Sequence, residues 1–506
     1  MPASLSVVSN DLLDRMQYRA DDLADTTIDH ILGPWTIPFE FTTAGAPAGA
    51  TTSPATLAAV AAPWQPQWQK LAAVTDVFPQ WTDNRAISDW RAPAAGNEPN
   101  ITPGIAAPLE AYLQAGRILP AWADRAKIAR AEELFMDYGA LSVTMLFCSS
   151  LPECYVIPDL AAVLHVTGQL EKHTEYRVRM TGAMIFPVMM KGGLTDPDGG
   201  GIAQILKVRL IHATIRNLIL RGSPADALRA LGAHQNTEGA GVVPPLPGLR
   251  AADNMHQALF AHGWKTGEEG LPCNQEELAY TLLTFSYVFL RSMRKLGLAL
   301  TGADEEAYLH AWNVAGHVLG IDRALMPATM AEAGTLFADM QARGRAATPP
   351  NPALNPDPRP ALGNALMDAM SSVIPLVVLK PFPLLMTRHL CGRASAQDLG
   401  LNGPVSWLSR LLFTLFMLVV RAIDGVVRLV FPAFSIARFL TRLLGYHLMS
   451  KLLMDQTRPL KLPQHVRDRV EIMMAHWSDD PKAPAWMNSL EDRMTVKGSW
   501  TSPVQK

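Results

Sequence analysis

The sequence predicts an all-α protein, a helical bundle with an apolar helical extension toward its C-terminal end. Three observations carry that prediction. Alternating runs of β-branched residues, the mark of half-buried strands, are nearly absent. From Pro108 onward, apolar residues recur at helical spacing in one segment after another. Residues 202–220 contain no Gly or Pro and are bounded by Gly199–Gly201 and Gly222, which reads as a helix with punctuated ends.

In order along the chain, residues 1–107 read as a partly irregular N-terminal extension. A short amphipathic helix near Asn10–Leu23 is followed by an Ala/Thr/Pro/Gly-rich span, Thr42 to Pro66, expected to be a flexible connection. Trp64, Trp68, Trp81 and Trp90 come next, and packing anchors are the expected role, since aromatic side chains bury large areas. Residues 108–345 form the helical main domain. Helices are expected over 108–117 and 121–138, followed by an apolar run over 139–151, too short to span a bilayer. Another is expected over 157–181 with Pro158 at its start. Asp196, Asp198 and Gly199–Gly201 lack the closing glutamate of a calcium loop and are expected to turn the chain into the 202–220 helix. Asn274 is placed to cap a helix running to about Leu296, with Glu276 and Glu277 in its first turn. Thr301 starts the next, which carries His310, Trp312 and His317 and ends at Gly320.

Prolines crowd residues 346–360, where an extended linker is expected. Residues 361–506 form a C-terminal apolar helical region. Within 405–455 a strongly apolar sequence is punctuated by Arg410, Arg421, Asp424, Arg428, Arg438 and Arg442, too often for a spanning helix. Two readings stay open there: helices packed on the core with arginines at the rim, or helices lying on an anionic membrane face as a peripheral contact.

Composition narrows the function. Apolar residues make up 49% of the chain and charged residues 18%, with a formal net charge of −2, and no basic stripe suggests a nucleic-acid partner. Cys148, Cys154, Cys273 and Cys391 are scattered, which fits a reducing compartment rather than a disulfide scaffold or zinc site. The N-terminus lacks a basic segment followed by a long apolar run, so a cytoplasmic location is expected. Nucleophile-elbow, phosphate-loop, dinucleotide-fold and H-E-x-x-H patterns do not occur.

What remains is Arg209-x-x-His212-x-x-x-Arg216. At 100° per residue the three fall on one side of the helix with Ile202, Ile205 and Ala213, opposite Leu210, Ile211, Ile215 and Leu218. Buried guanidiniums require anionic partners. A haem meets that need, with imidazole to iron and guanidiniums to propionates or to neighbouring carboxylates; a hydrogen-bonded core histidine is the plainer alternative. Arg177 and Thr181, four apart, either bound a distal pocket or belong to a solvated helix face. His310 and His317 share a face without a carboxylate at metal spacing, and packing or helix-end roles are expected.

These residues resemble those of the rubber oxygenase (latex-clearing protein) and MpaB-type oxygenase family. The resemblance rests on the Arg/His/Arg set, upstream Arg177 and Thr181, the block Leu271–Phe285, and the block Tyr308–Ile321 with Trp312 and Gly316. It covers roughly residues 110 to 330 and extends toward Gly400 through Leu385–Gly392. It implies a globin-like helical core holding one haem b, His212 as axial iron ligand, Arg209 and Arg216 flanking it, and Arg177 and Thr181 on the distal side. It also implies use of dioxygen to cleave carbon–carbon double bonds of a hydrophobic, isoprenoid-like substrate. The family's distal glutamate has no clear match, and Glu153 and Asp159 are the choices. Without an export signal, polymeric rubber is not the expected substrate; a prenyl chain or unsaturated lipid is. A non-catalytic haem sensor or carrier, or a membrane-surface scaffold, is the competing function.

Overall fold

The computed structural model describes residues 8–35, 64–93, 101–138, 142, 144–166, 174–233, 241–246, 255–298, 300–346, 357–372, 374 and 376–430. The family of folds is the expected one: helices dominate, and among the described residues the one ladder is a two-residue antiparallel pairing of β1 (Val242–Val243) on β2 (Trp264–Lys265).

The N-terminal part is more regular than its sequence suggested. The expected helix at Asn10–Leu23 is two helices, α1 (Asn10–Gln17) and α2 (Asp22–Leu32), because Asp21 caps a new helix through Ala24 N–H. Then come α3 (Gln65–Val77), α4 (Asn84–Asp89), α5 (Pro103–Gly116) and α6 (Arg125–Asp137). Trp64, Trp68 and Trp81 are buried, as packing anchors should be; Trp64 and Trp68 meet Phe260, and Trp81 meets Trp90 edge-on. Most of the span Thr42–Pro66 lies outside the described residues.

After a π-helical turn at Leu146–Ser150 follow α7 (Leu151–Cys154), α8 (Pro158–Val166) and α9 (Thr174–Met189). Of the helix expected over 157–181, residues 158–166 and 174–181 are helical, and residues 167–173 lie outside the described residues. Next are α10 (Gly201–Leu220), α11 (Pro224–Ala233), α12 (Met255–Ala261) and α13 (Thr266–Glu269). The helix expected from Asn274 to Leu296 breaks at Ser286 into α14 (Gln275–Phe285) and α15 (Tyr287–Lys295); Ser286, at ψ −75°, sends both its N–H and its hydroxyl to Leu282 O. The chain continues through α16 (Gly302–Val318), α17 (Met330–Ala346), α18 (Arg359–Ser372), α19 (Phe382–Cys391), α20 (Arg393–Asp398) and α21 (Trp407–Val430). Both predicted caps are present, Asn274 on Glu277 N–H and Thr301 on Asp304 N–H.

Helix α10 is the axis of the molecule. It packs against α2, α9, α12 and α16, with α4 at its beginning and α11 at its end. Fourteen of its twenty residues are buried. It has no side-chain cap of its own, since Gly200 stands at that position. Asn84 of α4 supplies one instead: its Oδ1 accepts from Ile202 N–H at 3.1 Å while its Nδ2 holds Gly193 O and Asp196 O. The loop 192–200 runs backbone against backbone, and a Cβ at Gly199 would lie 2.1 Å from Gly192 O. The far end turns through Arg221, held in the left-handed region at φ 52° by hydrogen bonds to Phe260 O and Pro244 O.

Candidate functional site around helix α10

The predicted polar stripe of α10 is divided between two sides. Arg209 and Arg216 are buried and point at α2, whereas His212 is half-buried at the edge of a flank with Gln204, Lys207, Val208, Ile211 and Thr214. On an internal helix, that flank is the accessible one.

The arginines find their anions within the protein, the second of the two partner types anticipated. Asp21, Asp25 and Asp29 recur every four residues and share one face of α2. Arg209 forms a two-pronged pair with Asp21 at 2.5 and 2.6 Å and donates to Val318 O at 3.0 Å. Arg216, with no exposure, pairs with Asp25 through Nη1 and donates to Pro272 O and Cys273 O at 2.8 and 2.7 Å. Cys273 takes a left-handed φ of 52°, an unusual conformation for a residue with a Cβ, and its carbonyl is one of these acceptors. Asn217 completes the ladder by donating to Asp29 and accepting from Trp35 Nε1. Burial pushes the Asp25 carboxyl up to about 6 against the lowering effect of Arg216. Of the two partner types expected for the arginines, haem propionates and neighbouring carboxylates, the structure supplies the second in Asp21 and Asp25.

The block Leu271–Glu277 closes this arrangement. Gln275 donates to Ala20 O and Gly320 O and accepts from Asp322 N–H, joining α2, α14 and the end of α16. Gly320, at φ 90°, lies so close to the ladder that a Cβ there would stand 2.5 Å from Asp21 Oδ2.

The half-open flank carries different chemistry. Lys207 meets no carboxylate among the described residues, and burial pulls its ammonium down to about 8. Thr181 is half-buried on α9, which packs extensively along α10. Arg177 lies one turn earlier on the same helix, and its side chain lies outside the described residues.

The two carboxylates considered for a base differ sharply. Glu153 is a buried hub whose Oε1 accepts from Arg291 at 2.6 Å and whose Oε2 accepts from Gln341 and Ser395, both at 2.8 Å. Its acceptor sites are occupied by the protein, a structural role. Burial raises Asp159 to about 6, and Glu269 and Glu277 are near enough to feel its charge. Glu269 is itself pushed up to about 7. Glu277 is buried, its carboxyl held well above the usual range first by burial and then by Asp159, and its Oε2 has no hydrogen-bond partner. Asp159 therefore lies within electrostatic reach of two further carboxyls whose proton affinity is raised.

His310 and His317 have the packing and helix-end roles expected of them. His310 Nε2 accepts from the backbone N–H of Asp124, the residue capping α6, and both rings meet the edge of Trp122, over which Arg323 lies. Among the described residues no group of three or more His, Cys, Asp or Glu is arranged to hold a metal ion.

Sequence reasoning missed Asp21, Asp25, Lys207, Glu269 and Glu277. The four-residue spacing of Asp21, Asp25 and Asp29 was a signal, since it sets three carboxylates along one face of a single helix. Nothing in the sequence marked Glu269.

Fold and site together define an all-helical protein built on an internal helix that is ion-paired on one side and offers an imidazole on the other. Residues 249–422 match the family described as "ER-bound oxygenase mpaB/B'/Rubber oxygenase, catalytic domain". A rubber oxygenase of Streptomyces sp. (strain K30) is 24% identical over 262 residues, 51% of this chain and 53% of that protein, so the match spans about half of each. Among solved structures, latex clearing protein LCP in the closed state superposes with a TM-score of 0.53 at 20% identity, over 88% of this chain and 93% of that one, a likeness of fold. These matches show a likeness to the rubber oxygenase and MpaB-type oxygenases, carried in sequence by residues 249–422. The matched span 249–422 begins after α10, so His212 and the two arginines stand on the structure and the sequence motif.

Proposed function

We propose that the protein is a haem b-dependent oxygenase that uses dioxygen to cleave a carbon–carbon double bond in a hydrophobic, isoprenoid-like substrate. The observation that carries this reading is the position of His212: a single imidazole on the half-open flank of an otherwise buried helix, with its neighbouring arginines turned away and already paired. His212, as a neutral imidazole, would hold the iron of a bound haem. The arginines do not fit the propionates, whereas Lys207, a buried ammonium facing no carboxylate among the described residues, does. Bound haem would supply the redox centre for dioxygen.

The chain's own residues then have distinct tasks. The ladder of Asp21, Asp25 and Asp29 fixes the rotation of α10 and hence which way His212 faces. Asp159, with its proton affinity near pH 6, serves as the base, and Glu277 holds a proton beside it. Thr181 offers a hydroxyl from α9, with Arg177 one turn away on the same helix. Cleavage of C=C by dioxygen into two carbonyls consumes both oxygen atoms, so the overall reaction balances without an external reductant. The relative that is a rubber oxygenase supports the substrate class.

The test is spectroscopic first. Protein purified after haem-supplemented expression should carry a Soret band, and His212→Ala should lose it while keeping its helical circular dichroism. A colourless wild-type protein, or a variant with an unchanged Soret band, refutes the haem assignment. A haem-loaded protein that consumes no dioxygen with prenyl chains or unsaturated lipids would be the carrier instead.

A further inference from the structure

Over its described side chains, helix α21 is held to the protein along one face. Ser409 is buried and donates to Val378 O at 2.9 Å, and Phe413 packs edge-on against Phe382 at 5.5 Å. The opposite face is apolar and open: Trp407 is 75% exposed, Leu411 and Leu415 53%, and Leu418 59%. The neighbouring turn, tied to α21 through that Ser409 bond, adds Leu376 at 58% and Val377 at 78%. Large apolar side chains gathered in one place at such exposure mark an interaction surface.

The charges beside it indicate the partner. Lys380 and Arg410 are exposed next to this face, and Arg388 is close enough to Arg410 for the two guanidiniums to repel each other. Arg388 is held by Leu401 O and Gly403 O, and none of the three cations meets a carboxylate among the described residues. Further along the helix the sequence repeats basic positions at Arg421 and Arg428. An apolar face bordered by unneutralised cations complements an interface that is oily within and anionic at its rim. Among the described residues no single helix is long and apolar enough to cross a membrane, so contact rather than spanning is indicated.

We propose that α21 and the turn at Leu376–Val377 seat the protein on the surface of an anionic phospholipid bilayer. The apolar side chains enter the boundary between headgroups and acyl chains, and Lys380, Arg388 and Arg410 meet lipid phosphates. This inference is independent of the haem assignment, because its readout requires no activity.

The test is flotation of the full-length protein with vesicles of phosphatidylcholine alone and of phosphatidylcholine mixed equally with phosphatidylglycerol. Three cations near an anionic surface should favour the mixed vesicles by roughly 100-fold. Leu411→Asp with Leu418→Asp should abolish flotation on both. Lys380→Glu with Arg410→Glu, on exposed positions that leave the packed face intact, should remove the preference for the anionic vesicles. Matching circular dichroism and melting curves establish that the variants fold. Wild-type protein that fails to float, as it would if another part of the chain covered this face, overturns the proposal. So does a concentration-dependent dimer that the Leu411/Leu418 variant dissociates, or flotation indifferent to both variants.

Discussion

Arg216 and Asp25 form an ion pair with almost no access to water, their side chains 0% and 9% exposed, and removing one partner should be far more damaging than removing both. In Asp25→Ala, Arg216 keeps its charge and retains only the carbonyls of Pro272 and Cys273. A guanidinium cannot shed its proton, so the expected loss is about 3–5 kcal/mol. Arg216→Met is milder, because Asp25 can take up a proton. Its carboxyl is already pushed up to about 6, and losing Arg216 removes the interaction that lowers it. The sign follows: a carboxyl whose folded pKa is raised stabilises the folded state at low pH and loses that contribution as pH rises through the folded value. Arg216→Met should therefore be more stable, relative to wild type, at about pH 5.5 than at about pH 7.5, whereas Asp25→Ala should not gain in this way. In the double variant both buried charges are gone, and stability should recover by about 2 kcal/mol from that of Asp25→Ala, the shortfall being the two carbonyls left without donors. Equilibrium urea unfolding followed by far-ultraviolet circular dichroism measures all four proteins at both pH values. If Asp25→Ala lies within about 1 kcal/mol of wild type, the pair does not act as an uncompensated-charge trap and the reasoning fails. An Arg216→Met variant insensitive to pH would refute the protonation argument separately.

Two further outcomes follow from the same geometry. Gly320→Ala should cost more than 2 kcal/mol, since it combines roughly 1–2 kcal/mol of left-handed strain with displacement of the Asp21–Arg209 pair. Gly297→Ala, at φ 80° with nothing near the added carbon, should show the strain alone; equal losses in urea unfolding would mean that Gly320 is not pressed against the ladder. If Asp159 is the base, oxygen consumption should rise as pH increases through about 6, because the carboxylate is the active form. Asp159→Asn should lower the rate by about 10²–10⁴-fold and remove that acid limb, and a pH profile keeping its shape in the variant assigns the limb to another group.

What could be read from the sequence was set by how local its cause is. Asn274 and Thr301 cap helices through N–H groups three residues away, so the capping signal and the contact are the same short stretch. Helix α10 was legible because its neighbouring glycines and its uninterrupted apolar run lie within it. The break at Ser286 went unseen because a serine within a helical pattern is ordinarily tolerated, and the break is a turn of its backbone to ψ −75° rather than a change of residue type. The arginine stripe gave half of its answer. Its demand for anions was readable from burial alone, but Asp21 lies 188 positions from Arg209, and helical periodicity carries no information across such a distance. The wheel also placed His212 with the arginines, although it lies at the edge of their sector and the bundle turns that edge to the open flank. Asp159 gained its character in the same non-local way, from the burial that folding imposes on it.

The aspartate ladder has a practical consequence for anyone shortening the protein. Sequence boundaries invite a cut at Pro108, where the regular helices appear to start and the low-complexity stretch is left behind. Such a fragment would keep α10 whole and discard Asp21, Asp25 and Asp29. Two interior cations would then be exposed to whatever anion the solution offered, and the fragment would be expected to precipitate or to gather chloride and phosphate at a place that in the whole protein is sealed.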